Sequence, residues 1–402
     1  MKPMNKVVHL VRWLLPPTAS FIRNQIVYHE QFEPSVVYAQ KKDGPFFQEI
    51  AGRFETCYPL RSSWERLLYE KARKLAPRAK QEVVRFIRRQ QPDILHVHYG
   101  VDCLVYADVL RELRLPSCVS FYGYDCTSFP NRFYGYGKTL LQKQVFHNPG
   151  VQAVLAMSDD MKQDLLGLGC PEEKIIVHYY GTETAPFTMQ RSFPDKTKVD
   201  MLIISSLQER KGHGFIIDAL AALPAYVRDK VHLHIVGDGY LRSTVEEKIR
   251  QSGLKNITMH GAVQYGSKQH LEYFKMADIF IHPSVTHTDG EKEGIPGAVI
   301  EAMAAGLPVI STYHAGIPHV MEDGRTGLLV KEYDVKALSV AMEKLILQRE
   351  LRKSLGTAAQ EEAVNRLDLV EKERELEEIY ELLLGRRTEL SSATAASTTT
   401  WA

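Results

Sequence analysis

Glu293 and Glu301 stand with seven residues between them, on either side of a turn made by Gly294, Ile295, Pro296 and Gly297. Carboxylates accept hydrogen bonds, and the free N–H groups of the Ala-rich helix expected from Pro296 to Ala305 suit a phosphate. About two turns of helix cover the spacing, so both acids are expected to look into one cleft. Glu301 lies in an otherwise apolar run, AVIEAMAAGLPVI, where a charge is costly unless a ligand or partner satisfies it. The plainer alternative is a solvated helix face bearing one acid. A second chemical cluster is SSLQERKGHG, whose Arg210 and Lys211 can neutralise a diphosphate, against the alternative of an exposed basic turn. A third lies upstream, where apolar runs end in HVHYG, with His96 and His98, and in FYGYD, with Tyr122 and Asp125. LHVH is read as a strand that points both rings to one side in preference to a metal site.

These groups need a frame. Apolar runs alternate with helical patterns: Val7–Val11, 20–28, Val36–Ala39, Ile94–His98, Cys118–Phe121, Val151–Met157 and 175–179. The alternation resumes at 199–205, Val231–Val236, Ile257–His260, Ile279–His282 and 309–311. Strands spaced by helices give parallel sheets covered on both faces, with ligands at the carboxyl ends of the strands. Residues 182–198 lack apolar periodicity and contain two prolines, which marks a linker. The GxG at Gly237 follows a strand and is alone a weak nucleotide signal. Gly306 stops the helix that carries Glu301.

At 402 residues the chain suits two domains; 44% apolar residues and a net charge of +1 describe a globular protein without a nucleic-acid bias. No apolar run reaches the roughly 20 residues of a membrane span, and Arg12 interrupts the only leader-like stretch. Five scattered cysteines without a CxxC pair point to reduced thiols in the cytoplasm. Residues 61–91 read as a basic amphipathic helix divided at Pro77, suited to anionic lipid at the inner face of the membrane or to a solvated outer face. The acidic run EKERELEEIYELLL is expected to return to the first domain or to join an oligomer, and SSATAASTTTWA to be disordered.

EGIPGAVIEAMAAGLPVIST followed by AGIPHVMEDGRTGLLV resembles the signature of retaining family 4 glycosyltransferases of the GT-B fold, especially bacterial exopolysaccharide and colanic-acid-type enzymes. The resemblance implies two doubly wound Rossmann-like domains facing a cleft: residues 1–182 on the acceptor side, a linker over 183–198, a nucleotide-sugar domain over 199–366, a returning helix over 367–386 and a tail over 387–402. It implies hexosyl transfer from a UDP- or GDP-linked sugar to a saccharide or lipid-linked saccharide, without a metal or other cofactor. Glu293 would contact the donor sugar, Glu301 the ribose, and Lys211 with Arg210 and the N–H groups after Gly294 the phosphates. HGAV, ending at Val263, would line the base. The leaving phosphate would take the acceptor's proton, with His98 and Asp125 positioning. Three departures stand out: the Gly-rich turn expected after the first strand is absent, Ser206 replaces an expected Arg, and Tyr122 replaces an expected His, a residue that titrates near neutral pH as Tyr does not. A phosphorylase, a nucleotide-sugar epimerase and a non-catalytic nucleotide-sugar scaffold are the competing readings.

Overall fold

The computed structural model describes residues 4–14, 20–41, 55–57, 60–194, 196–288, 290 and 292–390. The low-complexity tail and most of the loop after the first strand lie outside the described residues. The chain divides into two compact units, Met1–Gly181 together with Leu369–Ala402, and Thr182–Asp368.

The first unit is built on seven parallel strands: β1 (Asn5–Leu10), β2 (Phe32–Tyr38), β3 (Glu55–Cys57), β4 (Ile94–His98), β5 (Ser117–Ser120), β6 (Ala153–Ala156) and β7 (Ile175–Val177). Their order is β3-β2-β1-β4-β5-β6-β7. Residues of both parities are buried along β4, β5 and β6, so the sheet is covered on both faces there and even His96, His98, Ser117 and Ser120 are buried. On one face Val8, Leu10, Leu95 and Val97 pack with Val83 and Ile87 of helix Pro77–Gln90 and with Val105 and Val109 of helix Gly100–Leu113. On the other, Val7, Phe32, Ile94 and Cys118 meet Leu376, Ile379 and Tyr380 of helix Leu369–Leu383. Each such apolar side chain contributes about 1.5–3 kcal/mol on burial. The last helix is therefore part of the first unit's core.

Pro77 does divide the basic segment. A turn of α-helix at Ser63–Leu67 and a π-helical turn at Leu68–Ala72 end at Arg73, and Pro77 opens the second helix where its missing N–H is not needed. Arg78 bridges Glu65 and Glu82, while Lys80 and Arg88 share Glu112, so much of the basic excess is paired on the spot.

The second unit has six parallel strands, β8 (Val199–Ile204), β9 (Val231–Val236), β10 (Ile257–Gly261), β11 (Ile279–His282), β12 (Val309–Thr312) and β13 (Leu328–Val330). The order β10-β9-β8-β11-β12-β13 reverses direction between β8 and β11, a doubly wound sheet. The expected linker is different from its reading. Residues 182–194 are held against this unit: Phe187 is buried among His270 and Phe274, and the Arg191 guanidinium donates to the carbonyls of Ala305, Ala277 and Phe274. Backbone carbonyls anchored by a side-chain cation leave no apolar period, so the segment looked unstructured in the sequence.

Candidate functional site

In each unit the chemistry-bearing residues gather at the carboxyl ends of the strands. In the second unit β8 leads through exposed Ser206 to a short 3-10 turn, Glu209–Lys211, and then to Gly212. Gly212 has φ +72°, and a Cβ there would lie 2.0 Å from the Pro283 carbonyl oxygen, so the loop closes onto the end of β11 only with glycine. That approach puts the Lys211 ammonium in an ion pair with Glu293 Oε1. Glu293 Oε2 accepts from the Ser284 hydroxyl at 3.2 Å, and its backbone N–H donates to His314 Nε2 at 3.1 Å. His314 Nδ1 in turn lies 2.7 Å from Glu332 Oε1. Burial first, and then the Arg210 guanidinium, push the Lys211 ammonium down to about 7. The carboxylate in contact favours the charged form, and we read the two as an ion pair.

The turn Gly294–Gly297 follows. Its Ile295 packs on Gly316, whose N–H donates to the Gly294 carbonyl at 3.3 Å, and Pro296 caps helix Gly297–Ala304. The first N–H groups of that helix are available to a phosphate. Glu301 is 5% exposed, and its partner is the Tyr265 hydroxyl; burial pushes its carboxyl up to about 7. The two acids thus share no partner: Glu293 belongs to the Lys211 cluster and Glu301 to a buried position beside Tyr265. Gly237, at φ +140°, lets the loop after β9 pass the Ser205 carbonyl, where a Cβ would come within 1.9 Å. Val263 is half-buried after β10. A cavity of about 300 Å³ opens on another side of the same Gly212 loop, lined by Gln208, Phe215, Thr286 and Tyr333, and by neither acid.

The raised carboxyl of Glu301 has a measurable sign. The folded state holds a proton that the unfolded state, near the ordinary carboxyl value of 4.5, has released, so stability falls as pH rises from about 4.5 to about 7. Glu301→Gln removes that loss, on the order of 3 kcal/mol at neutral pH. Melting of the two proteins should coincide below pH 4.5, with the variant gaining several degrees by pH 7. A constant gap across that range would show that Glu301 is already satisfied as an anion.

In the first unit, Asp125 is buried in the FYGYD turn after β5. Its Oδ2 accepts from the Gly100 N–H at 2.8 Å and its Oδ1 from the N–H groups of Tyr122 and Gly123 at 3.1 Å. These bonds tie the turn to the start of helix Gly100–Leu113, so Asp125 holds backbone; burial lifts it to about 6 against those donors. His96 and His98 do point to one side, with ring centroids 4.3 Å apart. Tyr122, half-buried, places its hydroxyl 2.7 Å from His98 Nδ1. Thus an imidazole still stands directly behind the phenol that replaced the expected His. The four cysteines with described side chains are buried, and none of them is in a disulfide among the described residues.

Sequence reasoning missed Ser284, His314 and Tyr265 in the second unit and His9, His29, Gln25 and Glu377 in the first. TYHAG after β12 and VHL in β1 are the visible traces, but only register brings them together: His9 stands opposite His96 in the β1–β4 pairing.

With this geometry in place, comparison with known proteins is decisive for kinship. Residues 29–185 match the model "Glycosyltransferase Family 4" and residues 185–362 match "Glycosyl transferases group 1". The chain belongs to the family 4, group 1 glycosyltransferases. WcaL of Salmonella typhimurium, named for colanic acid biosynthesis, is 33% identical over 67% of this chain and 65% of its own length. The amylovoran biosynthesis glycosyltransferase AmsK of Erwinia amylovora is 31% identical over 63% and 61%. The aligned part of this family member therefore spans just under two thirds of those curated relatives. Among solved structures, Anabaena HepE in complex with UDP superposes with a TM-score of 0.75 at 18% identity, covering 94% of this chain and 99% of that one. WaaG, a glycosyltransferase involved in lipopolysaccharide biosynthesis, gives 0.63 at 16%, covering 94% and 100%. The fold is GT-B. No helix among the described residues is long and apolar enough to cross a membrane.

Proposed function

We propose that this protein is a retaining glycosyltransferase that moves a hexosyl unit from a UDP- or GDP-linked sugar to a saccharide hydroxyl in exopolysaccharide or other cell-surface glycan synthesis. The observation that carries the reading is the Lys211–Glu293 ion pair held at the Gly294–Gly297 turn, with buried Glu301 on the helix that this turn opens. Departure of a nucleoside diphosphate builds charge on its oxygens and an oxocarbenium-like centre on the sugar; both need electrostatic stabilisation more than a nucleophile. Lys211, Arg210 and the N–H groups at the helix start supply the positive side, Glu293 faces the sugar, and Glu301 accepts from the ribose hydroxyls. With three such positive elements converging, a divalent ion is not required for the phosphates. HepE was solved with UDP, and AmsK is named for amylovoran biosynthesis, which supports the donor class and the setting.

The test is product analysis with a panel of UDP- and GDP-sugars against free and lipid-linked saccharides, with and without EDTA. Transfer that survives EDTA and gives a product of the donor's own anomeric configuration is expected. A changed nucleotide sugar without any acceptor would mean an epimerase. Dependence on inorganic phosphate would mean a phosphorylase, and an inverted product would remove the retaining mechanism.

A further inference from the structure

Behind the Lys211–Glu293 ion pair of the second unit, hydrogen bonds close a ring. Glu293 donates its backbone N–H to His314 Nε2 at 3.1 Å, and His314 Nδ1 lies 2.7 Å from Glu332 Oε1. Glu332 Oε2 accepts the Thr286 N–H at 2.7 Å, and its Oε1 accepts the Thr286 hydroxyl at 3.3 Å. One residue back, Val285 donates its N–H to the Arg210 carbonyl at 2.9 Å. Arg210 precedes Lys211, whose ammonium returns to the Glu293 carboxylate. The segments that follow β8, β11, β12 and β13 therefore meet around the Glu332 carboxylate. Tyr333, next to it, donates its hydroxyl to the Thr286 carbonyl from a backbone at φ +64°. A left-handed backbone is unfavourable for so large a side chain and persists where surrounding contacts impose it.

The protonation of His314 follows from its two partners. A backbone N–H only donates, so Nε2 carries no hydrogen; the proton of the neutral ring sits on Nδ1, where the Glu332 carboxylate accepts it. An imidazolium would set one N–H against another. The His314 side chain is fully buried and that of Glu332 is 20% exposed, so no water replaces either bond of the ring cheaply. What His314 holds is the backbone of Glu293, since the carboxylate is engaged by Lys211 and Ser284. The Gly316 N–H holds the next carbonyl, that of Gly294, at 3.3 Å. The segment after β12 thus grips the chain at two adjacent points, and losing His314 leaves a pivot at Gly294.

We propose, on the transferase reading above, that His314, oriented by Glu332, is the positioning residue that sets the Glu293 carboxylate against Lys211 and toward the donor sugar. A catalytic group works only within about 0.5 Å of its productive geometry, and its supporting shell decides whether it stays there. Here the same ring reaches both members of the ion pair, Glu293 through His314 and Lys211 through Val285 and Arg210. It therefore fixes the spacing between the group that faces the sugar and the cation that faces the phosphates. Removing His314 leaves the Val285–Arg210 bond in place, and Glu301 stays buried on its own helix. Nucleotide binding is thus retained while the sugar contact loosens, and the loss falls on turnover.

Kinetics and NMR on the full chain decide this. His314→Phe keeps the volume of the ring and removes both nitrogens. It should lose about ten-fold or more in kcat, hold a nucleoside diphosphate within about three-fold of the parent, and add little to the loss in Glu293→Gln. His314→Gln, whose amide carries an acceptor and a donor on neighbouring atoms, should return to within about three-fold of parental kcat. Glu332→Ala leaves the buried ring intact but unheld; it should repeat the kcat loss without multiplying that of His314→Phe, and it carries the test if His314→Phe does not fold. Parental kcat in these two variants, equal losses in kcat and nucleotide affinity, or losses that multiply with Glu293→Gln would reduce the ring to scaffolding. Nitrogen-15 NMR at neutral pH should find His314 neutral with its proton on Nδ1; an imidazolium or an Nε2–H tautomer overturns the proposal. If the parent transfers no sugar, the transferase reading fails by itself, and the His314 tautomer, with its loss of definition in Glu332→Ala, accepts or rejects the clamp.

Discussion

Replacing Glu293 by Gln is expected to lower turnover about 10²-fold or more, roughly 2.7 kcal/mol in the barrier, while the free nucleoside diphosphate binds almost as before. The amide keeps the shape and the bond from Ser284 but loses the charge that faces Lys211. Contact with sugar hydroxyls that strengthens as the ring flattens acts in the transition state, so its loss appears in kcat. A bound diphosphate brings its own negative charge to Lys211 and replaces the missing counterion. Turnover with the cognate donor and calorimetric affinity for the nucleotide form the pair of measurements. Near-normal turnover would remove Glu293 from the mechanism; lost nucleotide affinity would mean that Glu293 and Glu301 have exchanged roles.

The second large effect is at Lys211. Lys211→Ala should weaken a nucleoside diphosphate by about 10²-fold or more relative to the nucleoside, since a charge-assisted contact to phosphate is lost. It should also destabilise the second unit, because breaking an ion pair whose side chains are only 11% and 13% exposed strands the Glu293 carboxylate. The two effects separate in Lys211→Ala with Glu293→Gln: stability should recover while diphosphate affinity stays low. Equal losses for nucleoside and diphosphate would point to a misfolded loop rather than a lost cation.

The strands were readable because buried parallel strands are apolar on both faces, and Ile94–His98, Val231–Val236 and Ile279–His282 lie where the apolar runs do. The turn at Gly294–Gly297 and the stop at Gly306 were readable for the same local reason, since backbone geometry selects those residues. Lys211 and Glu293 were named but not paired, because Gly212 brings them together through a close approach to Pro283 that no periodicity encodes. Arg191 shows the converse. A side chain spending itself on three carbonyls looks, in sequence, like a charge in a loop. Glu377 lay hidden in an acidic helix whose charges resemble a solvated face, yet it is buried and caps the backbone of residues 30–32.

Helix Leu369–Leu383 covers Val7, Phe32, Ile94 and Cys118, so the first unit is discontinuous in the chain while the second is one unbroken stretch. During synthesis the order of completion is therefore the reverse of the order of translation. The early strands wait, one face bare, while Thr182–Asp368 is made, about ten to forty seconds at ribosomal rates of roughly 5–20 residues per second. Meanwhile the second unit has all of its own core and can close first. Protease digestion of ribosome-bound chains halted near Asp368 should accordingly spare the later-made half and cut the earlier one; a protected early half would show that its sheet closes without the last helix.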